Sequence, residues 1–274
     1  TQMNNNEATG NDPDQGGGAL FNNGGTMNID SFADIFSNIA TGTSGSGGAI
    51  LSTGGTLNTN TIFLNSNGAN RAGGAIEIID GTANLIDISI IQNYVTGNLT
   101  GGTANPGNGG GLHVTGNSAT VTLSGIVFLN EAASEGGGLW NNGGTMNIEG
   151  GTFYGDTFID QNIASGAAAD NGGGGIFNNG GTLNVASGTV ITRNVADGAS
   201  GSGGGLFSTN GDVVLDGVII TENRANRAGG GIELIDGSLM LTNSTLDNNN
   251  VGISPAVAAP GNGGGLHITG AADA

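Results

Sequence analysis

Apolar and polar residues alternate over short stretches of this chain, and the same stretches recur along it. TMNI at 26–29, TMNI at 145–148 and TLNV at 182–185 each place an apolar residue at every second position. Such alternation is typical of a short β-strand with one buried face. Units of about 26 residues with three such strands cannot bury their apolar faces alone, but stacked units form a continuous core. The pattern therefore predicts an all-β fold, a parallel β-helix of about nine coils with three short strands per coil.

A glycine pair, a small residue and then Leu or Ile mark the start of each unit. These anchors are 26 to 37 residues apart, and the coils are predicted to begin near residues 17, 47, 73, 109, 136, 173, 203, 229 and 263 of a single domain spanning 1–274. GANRAGGAIEIID from Gly68 matches RANRAGGGIELID from Arg224 at ten of thirteen positions. The offset indicates a superrepeat of five coils, 156 residues long.

A second signature closes each unit: an aliphatic residue, two variable residues, Asn, one more residue, and then Ala or Val, as in IDQNIA and ITRNVA. An asparagine at a fixed place in every coil is expected to hydrogen-bond to its copy in the next coil, because a buried amide needs partners. The predicted structural ladder consists of Asn38, Asn67, Asn93, Asn130, Asn162, Asn194, Asn223 and Asn249.

Length variation between units is assigned to the connector, which we define as the segment between the asparagine signature and the next glycine pair. The connector is NRA before Gly73 but TGNLTGGTANPGN before Gly109. All four prolines lie in connectors, where a missing backbone donor is tolerated. One corner of the coil is therefore expected to carry loops of variable length.

The two motifs together resemble the GGAI and FxxN repeats of polymorphic outer membrane proteins, and more broadly the right-handed β-helix passengers of autotransporter adhesins. GGAI occurs verbatim at 47–50 and 73–76, whereas Ile, Leu or Val stands in place of the Phe of FxxN. The resemblance covers nearly the whole chain. It implies export, an extracellular or bacterial cell-surface location, and adhesion or self-association. It also implies a right-handed coil, which agrees with the general preference of parallel crossovers.

Charge narrows the range of partners. The chain has no Lys, four Arg and 22 acidic residues, for a net charge of -18, which repels nucleic acid and anionic membranes. No nucleic-acid partner is therefore expected. No transmembrane segment is expected either, because no apolar run approaches the roughly 18 residues that span a bilayer.

Residues that could carry chemistry come in duplicate, five coils apart. The matched pairs are Arg71 and Arg227, Glu77 and Glu233, Asp80 and Asp236, and His113 and His267. Because an active site is normally unique, we interpret these pairs as solvated surface and the chain as non-enzymatic. The alternative is a glycan-binding or glycan-degrading β-helix protein that uses the loops at 96–108 and 252–262, since such enzymes need clustered carboxylates with an Arg or Lys base or calcium.

No cofactor is expected. Calcium is the one candidate, because loops rich in Asp and Asn, such as NDPDQ from Asn11, offer oxygen ligands. The glycine-aspartate nonapeptide of calcium-binding β-rolls is absent.

A lesser alternative is ice binding through a Thr-x-Asn face. Ranks of such residues at strand spacing would order water, although Asp212 and Ser238 interrupt them. The ranks comprise Thr26 with Asn28, Thr56 with Asn58, Thr82 with Asn84, Thr120 with Thr122, Thr145 with Asn147, and Thr182 with Asn184.

The residue after each anchor is expected to point outward. In four coils it is aromatic, namely Phe21, Trp140, Phe177 and Phe207. Two interpretations are open: these side chains form a contact stripe for a partner or a second rod, or the connectors shield them.

The sequence starts and stops inside a coil, and no capping element is evident at either end. Either the sequence is a piece of a longer array, or open strand edges at its ends invite the addition of another copy. We therefore expect an extracellular structural or adhesive protein that associates with itself, head to tail, into a fibre or surface array. A cell-surface glycan or protein is the further partner considered.

Overall fold

The computed structural model describes residues 1–30, 32–96, 107–153, 155–252 and 261–274. These residues form 33 strands and no helix, arranged in three parallel sheets. The predicted all-β parallel β-helix with three strands per coil is confirmed. Nine anchor strands delimit eight complete turns, so the solenoid has about eight turns and not nine coils; counting every anchor as a full coil gives one too many.

The first sheet, which we name the anchor sheet, contains the four-residue strand that follows each glycine pair. Neighbouring copies pair in register, so that Leu20 lies beside Ile50 and Ile50 beside Ile76. Its strands are Leu20–Asn23, Ile50–Thr53, Ile76–Ile79, Leu112–Thr115, Leu139–Asn142, Ile176–Asn179, Leu206–Thr209, Ile232–Ile235 and Leu266–Thr269.

The second sheet, the broad sheet, contains 15 strands, because most coils contribute two strands separated by a corner. Its strands are Gln2–Asn4, Thr26–Asp30, Asp34–Phe36, Thr56–Asn60, Phe63–Asn65, Thr82–Ile91, Thr120–Phe128, Thr145–Ile148, Thr157–Asp160, Thr182–Val185, Thr189–Thr192, Asp212–Asp216, Ile219–Thr221, Ser238–Thr242 and Thr245–Asp247. Corner residues such as Phe32 (φ 57°) and Thr61 (φ 51°) adopt the left-handed backbone conformation that turns the chain.

The third sheet, the narrow sheet, contains the two-residue strands formed by the last two residues of each asparagine signature. Its strands are Glu7–Ala8, Ile39–Ala40, Gly68–Ala69, Tyr94–Val95, Glu131–Ala132, Ile163–Ala164, Val195–Ala196, Arg224–Ala225 and Asn250–Val251. Apolar residues of the anchor and broad sheets fill one continuous interior, where side chains such as Ile35, Leu57 and Ile76 are fully buried. Each such burial contributes about 1.5–3 kcal/mol.

The signature asparagines form an unbroken ladder inside the corner between the broad and narrow sheets. Asn130 is representative: its Oδ1 accepts from the backbone N–H of Asn93 at 2.9 Å and from Asn93 Nδ2 at 3.0 Å. Its own Nδ2 donates to Asn162 Oδ1 at 2.9 Å and to the carbonyl of Ile90 at 2.9 Å. The rungs are Asn38, Asn67, Asn93, Asn130, Asn162, Asn194, Asn223 and Asn249, and Asn6 adds one more at the first coil.

The backbone turns sharply just before each rung. The preceding residue has a φ of 52° to 58° in every coil, although none of these residues is glycine. Such a conformation is uncommon for non-glycine residues, so the hydrogen bonds of the ladder and the packed strands on both sides must hold it. The turn directs each carboxamide into the interior.

Removing one carboxamide is expected to cost far more than a surface substitution. In Asn130→Ala, the backbone N–H and one Nδ2 hydrogen of Asn93 lose their acceptor while staying buried, and the carbonyl of Ile90 loses its amide donor. Asn162 Oδ1 keeps only the backbone N–H of residue 130, and each unsatisfied group costs about 1–3 kcal/mol. The free energy of unfolding should fall by about 3 kcal/mol or more, measured by denaturant unfolding followed by circular dichroism. Asn147→Ala is the matched control, because Asn147 accepts from Asn184 on the outer face, and it should cost less than about 1 kcal/mol. Equal losses in the two variants would refute the structural importance of the ladder.

Candidate functional site

The fifth coil departs from the repeat at the corner of the broad sheet. Eight residues, 149–156, separate Thr145–Ile148 from Thr157–Asp160, whereas three residues, 186–188, separate the matching strands of the sixth coil. We call residues 149–156 the insertion. The prediction that length varies only in connectors is therefore wrong at this corner, because a turn outside the core tolerates extra residues as readily as the connectors do.

A buried carboxylate two coils earlier fixes the insertion. Asp87 Oδ1 accepts from the backbone N–H of Thr152 at 2.8 Å and of Phe153 at 3.0 Å, and Oδ2 accepts from the Thr152 hydroxyl. Burial raises the pKa of Asp87, but the hydrogen bonds of Thr152 and Phe153 outweigh it, so the pKa lies below its ordinary value. Asp87 is thus ionised at neutral pH and holds the insertion against the corner.

An exposed aromatic cluster lies where the insertion meets the first two coils. Phe32 and Phe153 are 60% and 61% exposed. The ring of Phe32 stacks on that of Phe63, with centroids 6.5 Å apart and an interplanar angle of 24°, and it meets Phe153 edge-on at 6.4 Å. Large exposed apolar clusters mark interaction sites more often than isolated exposed residues do.

A groove of about 600 Å³ opens beside these rings on the outer face of the broad sheet. We call it the aromatic groove. Phe32 and Phe63 line it together with Gln2, Asp34 and Asn65. The strand Asp34–Phe36 at its centre pairs with Gln2–Asn4 on one side and with Phe63–Asn65 on the other. The groove therefore combines aromatic rings, amides and a carboxylate on a backbone that is already hydrogen-bonded.

Most of the residues placed in the contact stripe are buried. Phe21 is 49% exposed, but Trp140, Phe177 and Phe207 are 6%, 2% and 0% exposed. Glu135 of a connector bonds to Trp140, and Gly203 (φ 60°), which directly follows a connector, lies so close that a Cβ on it would be 2.7 Å from the Cβ of Phe207. A stripe that is open to solvent is therefore wrong for these three residues, and the alternative, shielding by the connectors, describes them.

The covered side chains form a second packed layer, which we call the outer layer, between the anchor sheet and the connectors. The His113 and Trp140 rings stack at 4.3 Å and 6°, Trp140 continues to Phe177 at 6.3 Å, and Phe177 meets Phe207 at 4.9 Å. Glu135 accepts a hydrogen bond from the indole N–H of Trp140 at 3.0 Å. The first glycine of the pair, as at Gly136 and Gly203, lets the backbone that follows a connector lie against the sheet beneath it.

The Arg, Glu and His pairs lie in this outer layer, and the interpretation of these three pairs as solvated surface is wrong. Glu77 is completely buried, with Arg71 Nη2 at 2.5 Å and His113 Nδ1 at 3.1 Å from its Oε1. Arg71 also donates through Nε to Ser46 Oγ at 2.9 Å. Alternation along the strand shows only that Glu77 points away from the core, and the connector then covers it.

A second cluster of the same residue types, Glu233, Arg227 and His267, lies five coils later. Glu233 is buried, with Arg227 Nη2 at 3.3 Å from Oε1 and His267 Nδ1 at 2.8 Å from Oε2, and Arg227 Nε donates to Ser202 Oγ at 3.0 Å. Asp80 and Asp236 lie instead at turns, where Asp80 Oδ1 accepts from the Ser118 hydroxyl. Each Arg belongs to a connector and each Glu to the anchor sheet, so the Arg-Glu pairs join these two parts.

Burial shifts the ionisation of these groups. Burial lowers the pKa of His113, and the neighbouring Glu77 opposes that shift only in part. Burial raises the pKa of Glu77, but His113 and the permanently charged Arg71 more than offset it, so the net shift is downward. At Glu233 burial outweighs His267 and Arg227, so the pKa is raised. At neutral pH the first cluster therefore holds a neutral imidazole beside an Arg-Glu ion pair.

The Thr-x-Asn ranks are in register along the outer face of the broad sheet. Thr26 lies beside Thr56 and Thr56 beside Thr82. The neighbouring amides bond to one another, since Asn58 Nδ2 donates to Asn28 Oδ1 and Asn84 Nδ2 donates to Asn58 Oδ1, both at 2.8 Å. Asn58, for example, therefore gives one donor and one acceptor to its neighbours in the ranks.

Other expected features are reported for the described ranges only. The loops predicted at 96–108 and 252–262 lie mostly outside them, because 97–106 and 253–260 are not described. In the described part of the chain, no group of three or more His, Cys, Asp or Glu side chains is arranged to hold a metal ion. Among the same residues, no helix has the length and apolar character that crossing a membrane requires.

Comparisons of the chain with protein-family models, with curated proteins and with solved structures give no match. The aromatic groove is therefore interpreted from its own geometry. Sequence reasoning missed it, although the spacing of 37 residues across the fifth coil and the unrepeated TFYGD segment were the available signals.

Removing the Asp87 carboxylate is expected to release the insertion. In Asp87→Ala the backbone amides of Thr152 and Phe153 lose their acceptor, and hydrogen bonds to a charged group contribute about 1.5–3 kcal/mol. Their amide hydrogen exchange should accelerate about tenfold or more. Asp216→Ala is the matched control, since Asp216 accepts from Thr242 and Asn243 on another part of the surface. Unchanged exchange at Thr152 and Phe153 in Asp87→Ala would show that other contacts hold the insertion.

Acidification is expected to destabilise the outer layer through His113. Because the pKa of His113 in the folded protein lies below its ordinary value of 6.5, its contribution to stability is complete above that value and is lost as the pH falls below it. The melting temperature should therefore fall between about pH 7 and about pH 5. His113→Phe keeps a ring against Trp140 and should reduce this fall, as measured by circular dichroism. An equal fall in both proteins would assign the acid sensitivity to other groups.

Proposed function

We propose that this chain is a non-enzymatic, extracellular adhesive solenoid of the kind found in polymorphic outer membrane proteins and autotransporter adhesins, and that the aromatic groove is its binding surface. The observation that carries the proposal is the exposed cluster of Phe32 and Phe153 beside the groove. Phenylalanine is costly to expose, and here a buried carboxylate holds the insertion in a position that exposes it. Such an arrangement suits recognition of another molecule.

The charged residues favour a binding role over catalysis. General acid-base chemistry needs a carboxylate or imidazole within reach of a substrate. Glu77 and His113, the best candidates for such chemistry, are buried beneath a connector, and a second copy lies five coils away. Glu77 forms an ion pair with Arg71, and its copy Glu233 forms one with Arg227. These ion pairs suit a structural role in fastening the connectors to the anchor sheet.

Two further expectations remain proposals. Head-to-tail association into a fibre or surface array follows from the sequence resemblance and the repeat, and light scattering over a range of protein concentrations would test it. Ice binding is less favoured, because the amides of the outer ranks bond to one another.

Adhesion is expected to depend on the aromatic cluster. Microspheres coated with the protein should attach to a panel of bacterial, plant and animal cell surfaces, and attachment should fall about tenfold in a Phe32→Asn and Phe153→Asn double variant. Asparagine is chosen because it tolerates the left-handed backbone of Phe32. Phe21→Asn is the matched control, since Phe21 is 49% exposed on a different face, and it should leave attachment unchanged. No attachment of the unaltered protein to any surface would reject the adhesive role.

A further inference from the structure

Resting on the proposed binding role of the aromatic groove, we infer that the ligand is a neutral glycan. Its pyranose rings stack on Phe32 and Phe63, and its hydroxyl groups bond to Gln2, Asp34 and Asn65, all of which line the groove.

The aromatic rings provide the apolar part of this recognition. Phe32 and Phe63 are within 24° of parallel, and Phe153 stands nearly perpendicular to Phe32, at 75°. The face of an aromatic ring has a negative electrostatic potential. One face of a pyranose presents several C–H groups with a small positive charge, so the two surfaces are complementary. Phe153 lies beside the groove, where its ring meets Phe32 edge-on and its backbone N–H is held by Asp87.

The polar side chains provide directional contacts. Gln2 pairs in register with Asp34, and Asp34 with Phe63, so their side chains project from the same face on successive strands. Asn65 follows Phe63 by two residues and therefore lies on that face too. Amides offer both donors and acceptors and a carboxylate offers acceptors, spaced at about 4.8 Å from strand to strand. Saccharide hydroxyl groups, which donate and accept, match this mixture.

The backbone and the charge argue against other ligands. An extended peptide binds a sheet by adding to a free strand edge. The strand Asp34–Phe36 at the centre of the groove is paired on both sides, so a peptide lying over the rings has no free edge there, and only the outer side of Gln2–Asn4 at the rim is unpaired among the described residues. Acidic glycans are repelled by Asp34 and by the net charge of -18. A neutral glycan needs neither a free edge nor a positive charge in the protein.

The test is a glycan array printed with neutral and acidic glycans, probed with the full chain, with hexalysine as a cationic peptide probe in solution. The expected result is binding to neutral glycans and none to uronate or sulfated glycans. Calorimetry with the best neutral glycan should show affinity about tenfold weaker in Phe32→Asn and unchanged in Phe21→Asn. Asp34→Asn should stay within about threefold of the unaltered protein, because an amide oxygen also accepts from hydroxyl groups.

Three results would overturn the inference: no neutral glycan bound, binding of acidic glycans only, or binding of hexalysine that Asp34→Asn abolishes. If microspheres still attach through Phe32 and Phe153 in that case, the adhesive role stands and only the class of ligand is wrong. If a neutral glycan binds but microspheres attach nowhere, the ligand stands and the adhesive role fails.

Discussion

The need of a buried carboxamide for hydrogen-bond partners sets the geometry of this solenoid. Each ladder asparagine before the last, Asn249, receives two donors from the preceding rung and gives Nδ2 hydrogens to the next rung and to a backbone carbonyl, as Asn130 does. An amide in a dry interior is costly if any of these bonds is missing. The ladder hydrogen bonds therefore fix the position of each asparagine relative to its copies in the neighbouring coils. The register of all three sheets agrees with that single alignment.

The fold and the ladder could be predicted from sequence because both repeat. Asn38 and Asn194 can be recognised as ladder residues only because asparagine recurs at the same position in each unit. The outer layer was misjudged for a physical reason: alternation tells which residues face away from the core, but not what covers them. Glu77 and Trp140 both follow an anchor, yet Arg71 and Glu135 of the connectors contact them and both are buried.

The aromatic groove escaped sequence reasoning for the opposite reason, because it lies where the repeat fails. Phe153 reaches Phe32 across several coils, a contact that depends on the path of the insertion and on Asp87. No period encodes such a contact. The repeated segments of this molecule therefore form the solenoid that supports the site. The segment that departs from the repeat places Phe153 beside the aromatic groove, to which we assign recognition. The paired Arg-Glu-His clusters belong to the support, since the superrepeat includes them.

The parallel pairing of equivalent strands has a mechanical consequence. Backbone and ladder hydrogen bonds point along the solenoid axis, from each turn to the next. Tension applied along that axis would pull directly on the hydrogen bonds between turns, and the turns would separate one at a time. A turn of about 30 residues that peels off would lengthen the molecule by roughly 100 Å. A surface-tethered molecule of this kind would yield to shear in steps, absorbing work with each turn that opens.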